Sequence, residues 1–171
     1  MKIHEYQAKE FFKRYSISVP AGAVARTADE ALEAAAKTGV GPYVLKAQIH
    51  AGGRGKGGGI KMVPGLEQIR DTAAEMLGKV LITPQTGSEG KPVNSLLVEE
   101  TLEAERQIYL GITIDRPKEC AVVLASAEGG MEIESVARQA PGKVLKERIH
   151  PAVGLRPGQA PRIAYWVGFD S

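Results

Sequence analysis

The chain has 171 residues, 43% hydrophobic and 25% charged, with a formal net charge of +2 and one cysteine, Cys120. That length supports one substantial core and that composition is ordinary for a globular protein. The near-neutral balance excludes a broad nucleic-acid field, 5% aromatics weighs against base-stacking platforms, and a lone cysteine excludes an internal disulfide or a cysteine-cluster metal site. Cys120, inside Cys-Ala-Val-Val-Leu-Ala, reads as a buried structural thiol. The N-terminus lacks the apolar core of a signal peptide, and no apolar run reaches the ~18 residues of a membrane span, so a cytoplasmic protein without membrane contact is expected.

In chain order, Ala8, Phe11, Phe12 and Tyr15 at helical spacing predict an amphipathic helix over 4–15. Thr27 with Glu30 forms a capping box, and Gly39 ends the alanine-rich helix that follows. Residues 44–49 alternate as a strand, with Leu45, Ala47 and Ile49 on one face and Lys46, Gln48 and His50 on the other. A glycine-rich loop leads to a second short strand, 60–63. A helix over 66–77, a short strand near 81–83, a polar turn over 86–92 and a strand over 96–99 follow. Ile108, Leu110, Ile112 and Ile114 alternate strictly, predicting a strand over 107–114 with one buried face; after the turn 115–118 it should form an antiparallel hairpin with the nearly all-apolar strand 120–125. Residues 144–149 are short and mixed. Residues 162–169 start an apolar helical pattern, and Trp166, Val167 and Phe169 have no visible partner, so the chain reads as part of a longer protein with an exposed apolar patch.

The loop between the strands at 44–49 and 60–63 holds six glycines, Arg54 and Lys56. Glycine lets the backbone approach a ligand and turn its N–H groups inward, while Lys46, Arg54 and Lys56 bring positive charge, the combination that a polyphosphate requires. Gly53, Gly55 and Gly58 fit G-x-G-x-x-G, but a strand follows rather than the helix of a dinucleotide fold. The Walker A pattern fails because Gly57 follows Lys56 and His50 stands where its first glycine belongs. A kinase flap has its lysine after the loop, and no H-R-D or D-F-G follows. What remains is a glycine hairpin folding over phosphates, with the lysine before it; the plain alternative is a mobile surface loop beside a solvated strand lysine.

The segments His4-Glu5-Tyr6-Gln7-Ala8-Lys9, Lys46-Ala47-Gln48-Ile49-His50-Ala51-Gly52-Gly53-Arg54-Gly55-Lys56, Leu97-Val98-Glu99-Glu100, Tyr109-Leu110-Gly111 and Ser126-Ala127-Glu128-Gly129-Gly130-Met131-Glu132-Ile133-Glu134 together resemble the β subunits of succinyl-CoA synthetases, in register from Met1 to about Trp166. The resemblance implies an α+β ATP-grasp fold: two α+β subdomains on mainly antiparallel sheets, a small lid over 20–102 with the glycine flap, and a larger subdomain, here incomplete, from 1–19 plus 103–171. It implies ATP or ADP as ligand, held by Lys46, by Gly53, Arg54 and Gly55 of the flap, by Glu99 and Leu102 at the hinge against the adenine edge, and by residue 107 at the ribose. The family usually has glutamate there; Gln107 still accepts a hydrogen bond but without charge assistance. Pro20 points to ATP over GTP.

The resemblance further implies Mg²⁺ ligands downstream of Ser171, no metal ligand or catalytic residue within this chain, and an α subunit that supplies the phosphorylated histidine and the CoA site. His4, His50 and His150 are therefore not expected to carry phosphate. Without the resemblance, Glu99 and Glu100 read equally as a solvated strand end, and Glu128, Glu132 and Glu134 as the polar face of a strand rather than a cation site. Rival readings are the β subunit of a malate– or citrate–CoA ligase and a non-catalytic nucleotide-binding or assembly fragment.

Overall fold

The computed structural model describes residues 2–130 and 133–169. The chain divides into two compact units, Met1–Glu103 and Ala104–Ser171. The first contains α1 (Glu5–Arg14), β1 (Gly22–Ala25), α2 (Ala28–Thr38), β2 (Tyr43–Ala47), β3 (Ile60–Val63), α3 (Ile69–Met76), β4 (Val80–Leu81), β5 (Lys91–Pro92) and β6 (Leu96–Glu100). β1, β6, β2 and β3 form, in that order, an antiparallel sheet, and β4 pairs with β5 as a separate ribbon.

α2 starts where its sequence sets it. The Thr27 side chain accepts from the Glu30 N–H at 3.1 Å, the Glu30 carboxylate reaches back to the Arg26 N–H at 2.6 Å, and Gly39 leaves the helix at φ 110°. Its inward residues, Ala31, Ala34 and Ala35, are small enough to bring the helix close to the sheet. They pack with Ile69, Ala73 and Met76 of α3 over Tyr43, Leu45 and Ala47 of β2 and Leu96 and Val98 of β6. Residues paired across an antiparallel ladder share a face, so Lys46 and its partner Leu97, with Glu99 opposite Val44 and Gly22, lie on the other face. α1 lies over that face: the Gln48 Oε1 accepts from the Tyr6 N–H at 3.2 Å, and Glu5 and Lys9 form ion pairs with it. These contacts tie α1 to the first unit. The helix expected over 66–77 is regular only from Ile69, after a tighter turn over Leu66–Gln68.

The second unit is the antiparallel sheet β7 (Tyr109–Asp115), β8 (Cys120–Ser126) and β9 (Leu145–Ile149), with α4 (Ile133–Gln139) and α5 (Gln159–Trp166). Its small core joins Val123 and Ala125 of β8, Leu145 of β9, and Ile163 and Val167. Cys120 is a buried free thiol.

Two expectations are corrected here. The apolar alternation of β7 is present, and Leu110 and Ile112 pair with core residues Ala125 and Val123, yet Leu110, Ile112 and Ile114 are 61%, 71% and 65% exposed. Alternation marks which face is apolar, not what covers it. α5 packs on β9 and β8, and β7 is the sheet edge. At the end of the chain, Val167 is buried in the core rather than left without a partner, and the Arg106 guanidinium lies over the Phe169 ring at 4.6 Å; Trp166 is exposed.

An exposed apolar edge strand is a template for association. Ile112→Lys should lower hydrophobic-dye binding and shift size-exclusion elution toward the monomer, with stability changed by no more than about 0.5 kcal/mol, as for other exposed substitutions. Unchanged dye binding and elution would rule out β7 as the sticky surface.

Candidate nucleotide-phosphate site

β2 and β3 pair from Tyr43–Val63 to Lys46–Ile60, so the glycine segment is the loop of a true β-hairpin. It is internally tied: the Gly57, Gly58 and Gly59 N–H groups donate to the Gly53, Gly55 and Arg54 carbonyls at 3.3, 3.2 and 2.8 Å, and the Gly52 N–H donates to Gln85 Oε1 at 2.7 Å. Among the described residues the N–H groups of Gly53, Arg54 and Gly55 meet no acceptor. Three consecutive donors with no protein acceptor, in a partly exposed loop beside a lysine and an arginine, are groups that an oxyanion could engage.

The glycines divide by duty. A Cβ on Gly59 would overlap Leu81, and one on Gly57 would stand 2.5 Å from the Ile82 carbonyl, so these two allow the loop to lie on β4. Gly53 has φ +71° and would meet Pro84 at 3.1 Å. Gly55 would meet only Ile60 Cδ1, at 3.9 Å, and is exposed. Gly55→Val should therefore leave the melting temperature almost unchanged and weaken nucleotide binding, whereas Gly59→Val should destabilise the fold by about 1–3 kcal/mol through overpacking. Equal melting losses in the two variants would give Gly55 a folding role instead.

Five charges meet beside the hairpin. Lys46 Nζ donates to Glu99 Oε2 at 2.7 Å and to Glu5 Oε1 at 3.2 Å. Arg54 Nη2 donates to Glu5 Oε2 at 2.6 Å, and its Nη1 to the Ala47 carbonyl at 2.8 Å. Lys9 pairs with Glu99 and, at 3.3 Å, with Glu5. Glu99 is 1% exposed; the absence of a Cβ on Gly22, its ladder partner, makes room for its side chain. Burial opposes the ionisation of Glu5, but the Arg54 hydrogen bond and the Lys46, Arg54 and Lys9 charges outweigh it and lower its pKa from 4.5 to about 2. Burial likewise disfavours the charged Lys46, and the Glu99 hydrogen bond and the Glu5 and Glu99 charges outweigh it and raise its pKa.

A carboxylate with a depressed folded-state pKa contributes stability that is fully present above its unfolded value and is lost as pH falls through the folded one. Glu5 should thus contribute above pH ~4.5 and lose that contribution towards pH ~2. Acid titration of Glu5→Gln should show a shallower loss of stability across this window; an unchanged acid limb would mean that Glu5 is not the group titrating there.

Of the expected site residues, Lys46, Arg54, Gly53, Gly55 and Glu99 come together in the first unit. Leu102 follows β6 and is exposed. Gln107 belongs to the second unit, where its carbonyl accepts from the Gly129 N–H at 3.1 Å and its side chain fills the space that a Cβ on Gly130 would need. The sequence reading missed Glu5 and Lys9 as site groups. Their signal was the i, i+4 spacing on the polar side of a helix that had been read for its apolar side.

The His4 and His50 rings stack with centroids 4.0 Å apart, and burial, His50 and Arg54 lower the pKa of His4. Glu128 is paired with Lys143 at 2.7 Å, Glu134 sits on helix α4 rather than the expected strand, and Glu132 lies outside the described residues. Among the described residues no cluster of three His, Cys, Asp or Glu side chains stands ready for a metal ion, and no helix is long and apolar enough to cross a membrane.

Residues 2–171 match the ATP-grasp domain family, and the chain belongs to it. Within that family it is similar to the β subunit of ADP-forming succinate–CoA ligase from Geobacillus kaustophilus, 54% identical over 165 residues that cover 96% of this chain and 43% of the relative. The same subunit from Chloroherpeton thalassium is 50% identical over 174 residues, 99% of this chain and 44% of the relative. The chain thus spans less than half the length of these relatives. Among solved structures, the dinucleotide-forming acetyl-coenzyme A synthetase 1 of Ca. Korarchaeum cryptofilum superposes with a TM-score of 0.69 at 19% identity, covering 96% of this chain and 66% of that one. ATP citrate lyase from Methanothrix soehngenii gives 0.67 at 19% identity, covering 90% and 36%. At that identity these two speak to the fold alone, and the fold is that of an ATP-grasp module on antiparallel sheets.

Proposed function

We propose that this chain is the nucleotide-binding part of a succinyl-CoA synthetase β subunit, an ADP-forming acid–CoA ligase of the tricarboxylic acid cycle acting in the cytoplasm. The reaction is succinate + CoA + ATP ⇌ succinyl-CoA + ADP + phosphate. The observation that carries this reading is the row of unsatisfied N–H groups at Gly53, Arg54 and Gly55, with the Lys46 ammonium and Arg54 guanidinium beside it. A polyphosphate would receive both kinds of donor, and phosphoryl transfer is served mainly by such positioning and charge neutralisation.

In this reading Lys46 and the 53–55 backbone hold the phosphates, the chain from Glu99 to Leu102 meets the adenine edge, and Gln107 faces the ribose. The Glu99 carboxylate is engaged by two lysines, so its share of base recognition falls to its backbone and its immediate successors. Pro20 favours ATP over GTP. In the complete module the lid is residues 20–102, and residues 1–19 and 103–171 join the larger subdomain. Mg²⁺ would supply charge neutralisation of the phosphates, on ligands outside these residues. The partner is an α subunit carrying the phosphorylated histidine and the CoA site. Acid choice lies elsewhere too, so malate– and citrate–CoA ligases share this module.

Calorimetric titration with ADP and with GDP tests the binding half: ADP should bind, and more tightly than GDP. A coupled ligase assay on the β subunit with its α partner tests the other half: ATP-dependent succinyl-CoA formation should be present and should fall in Lys46→Ala. Absence of nucleotide binding would leave only an assembly role.

A further inference from the structure

We propose that Glu5 is a built-in counter-ion that occupies the phosphate position of this site and is displaced when a nucleotide polyphosphate arrives. The inference rests on the nucleotide-binding reading of Lys46 and Arg54 given above.

The two carboxylates of the charge cluster differ in kind. Glu99 projects from the middle of the sheet, is 1% exposed, and is held by Lys46 and Lys9; turning it away would leave both ammonium groups, with Arg54, on the Glu5 carboxylate alone. Glu5 stands in the first turn of α1 at the rim, with its side chain 22% exposed. One of its oxygens lies 3.2 Å from Lys46 Nζ and the other 2.6 Å from Arg54 Nη2. It therefore spans the same two cations that would take a phosphate, presenting two anionic oxygens to an ammonium and a guanidinium as a phosphate does. Arg54 also belongs to the backbone run whose N–H groups meet no protein acceptor, so one residue joins that run to the Glu5 carboxylate through its guanidinium.

Charge arithmetic gives the consequence. Lys9, Lys46 and Arg54 against Glu5 and Glu99 leave the cluster at +1. A polyphosphate entering beside an ionised Glu5 meets repulsion in a partly buried setting, where screening is weak. A rotation of the Glu5 side chain about its own stem puts its charge into solvent and releases both cations together. In the empty site the same carboxylate keeps Lys46 and Arg54 oriented and out of reach of other anions. Nucleotide affinity is the difference between two anions competing for one pair of cations, and it is set lower than the cations alone would give.

The test is calorimetric titration of this chain and its variants with ADP, repeated at two salt concentrations. Glu5→Gln keeps the shape and removes the charge; it should bind ADP about 5- to 30-fold more tightly, with a steeper loss of affinity on adding salt. Glu5→Asp retracts the charge by one methylene and should fall between the two, and it serves if the glutamine variant folds poorly. Lys46→Ala is the control. If it weakens binding while Glu5→Gln binds ADP equally or more weakly, Glu5 is a positioning residue and the competitor role is overturned alone. If Lys46→Ala binds ADP as well as the parent, Lys46 holds no phosphate and this inference falls alone; if no variant binds ADP, the nucleotide reading falls and this inference with it.

Discussion

Lys46→Ala should weaken ADP binding by about 10- to 150-fold, the equivalent of one or two hydrogen bonds to a charged group. The change should appear in affinity far more than in stability. Removing Lys46 leaves Glu99 paired with Lys9, and Glu5 paired with Arg54 and Lys9, so no carboxylate loses its last partner. Calorimetry and thermal melting on the same samples separate the two effects. Equal affinity in the variant would remove Lys46 from the site and leave the glycine hairpin as the only phosphate candidate.

Glu99→Gln should act the other way round, with a large loss of stability of about 3 kcal/mol read by urea unfolding. Its carboxylate is the buried counter-charge that Lys9 and Lys46 share. A neutral amide in its place leaves Lys9, Lys46 and Arg54 sharing the single Glu5 carboxylate, and an undercompensated charge in a largely buried cluster is among the few single changes that destabilise so strongly. Loss of nucleotide affinity without loss of stability would mean that the carboxylate serves the ligand directly and that the lysines find other partners.

These two expectations show what each source of information contributed. Lys46 was singled out before any coordinates, because a lysine on the polar face of a strand that runs into a glycine-rich loop suits a phosphate, although a solvated strand lysine has the same pattern. Its counter-ions were not. Glu5, and Lys9 which shares its carboxylate, are 41 and 37 residues away along the chain, and they reach the Lys46 site because α1 lies across the face of the sheet opposite α2 and α3. Local pattern carries no information about which helix covers which face. Glu99 was noticed as a strand-end acid, but its burial depends on Gly22 in the neighbouring strand, a pairing that periodicity does not reveal.

By itself the sequence determined the elements whose causes are local. The Thr27–Glu30 cap, the Gly39 stop, the β2–β3 hairpin around its glycines and the apolar β8 all arise from backbone conformations and side-chain periods within a few residues. Of the acids whose spacing suited a polar strand face, Glu134 lies on helix α4, whose single buried residue, Val136, is too little to set a period in the sequence. Tertiary structure decided exposure and charge pairing. β7 has the alternation of a half-buried strand, and its apolar row is exposed at the sheet edge, while α5 packs on β8 and β9. Nothing local separated Gly57 and Gly59 from the other loop glycines, and only the packing of the hairpin beside Leu81 and Ile82 gives them a structural duty that Gly55 lacks. Burial and pairing depend on what lies across the fold, and only the folded chain brings those groups together.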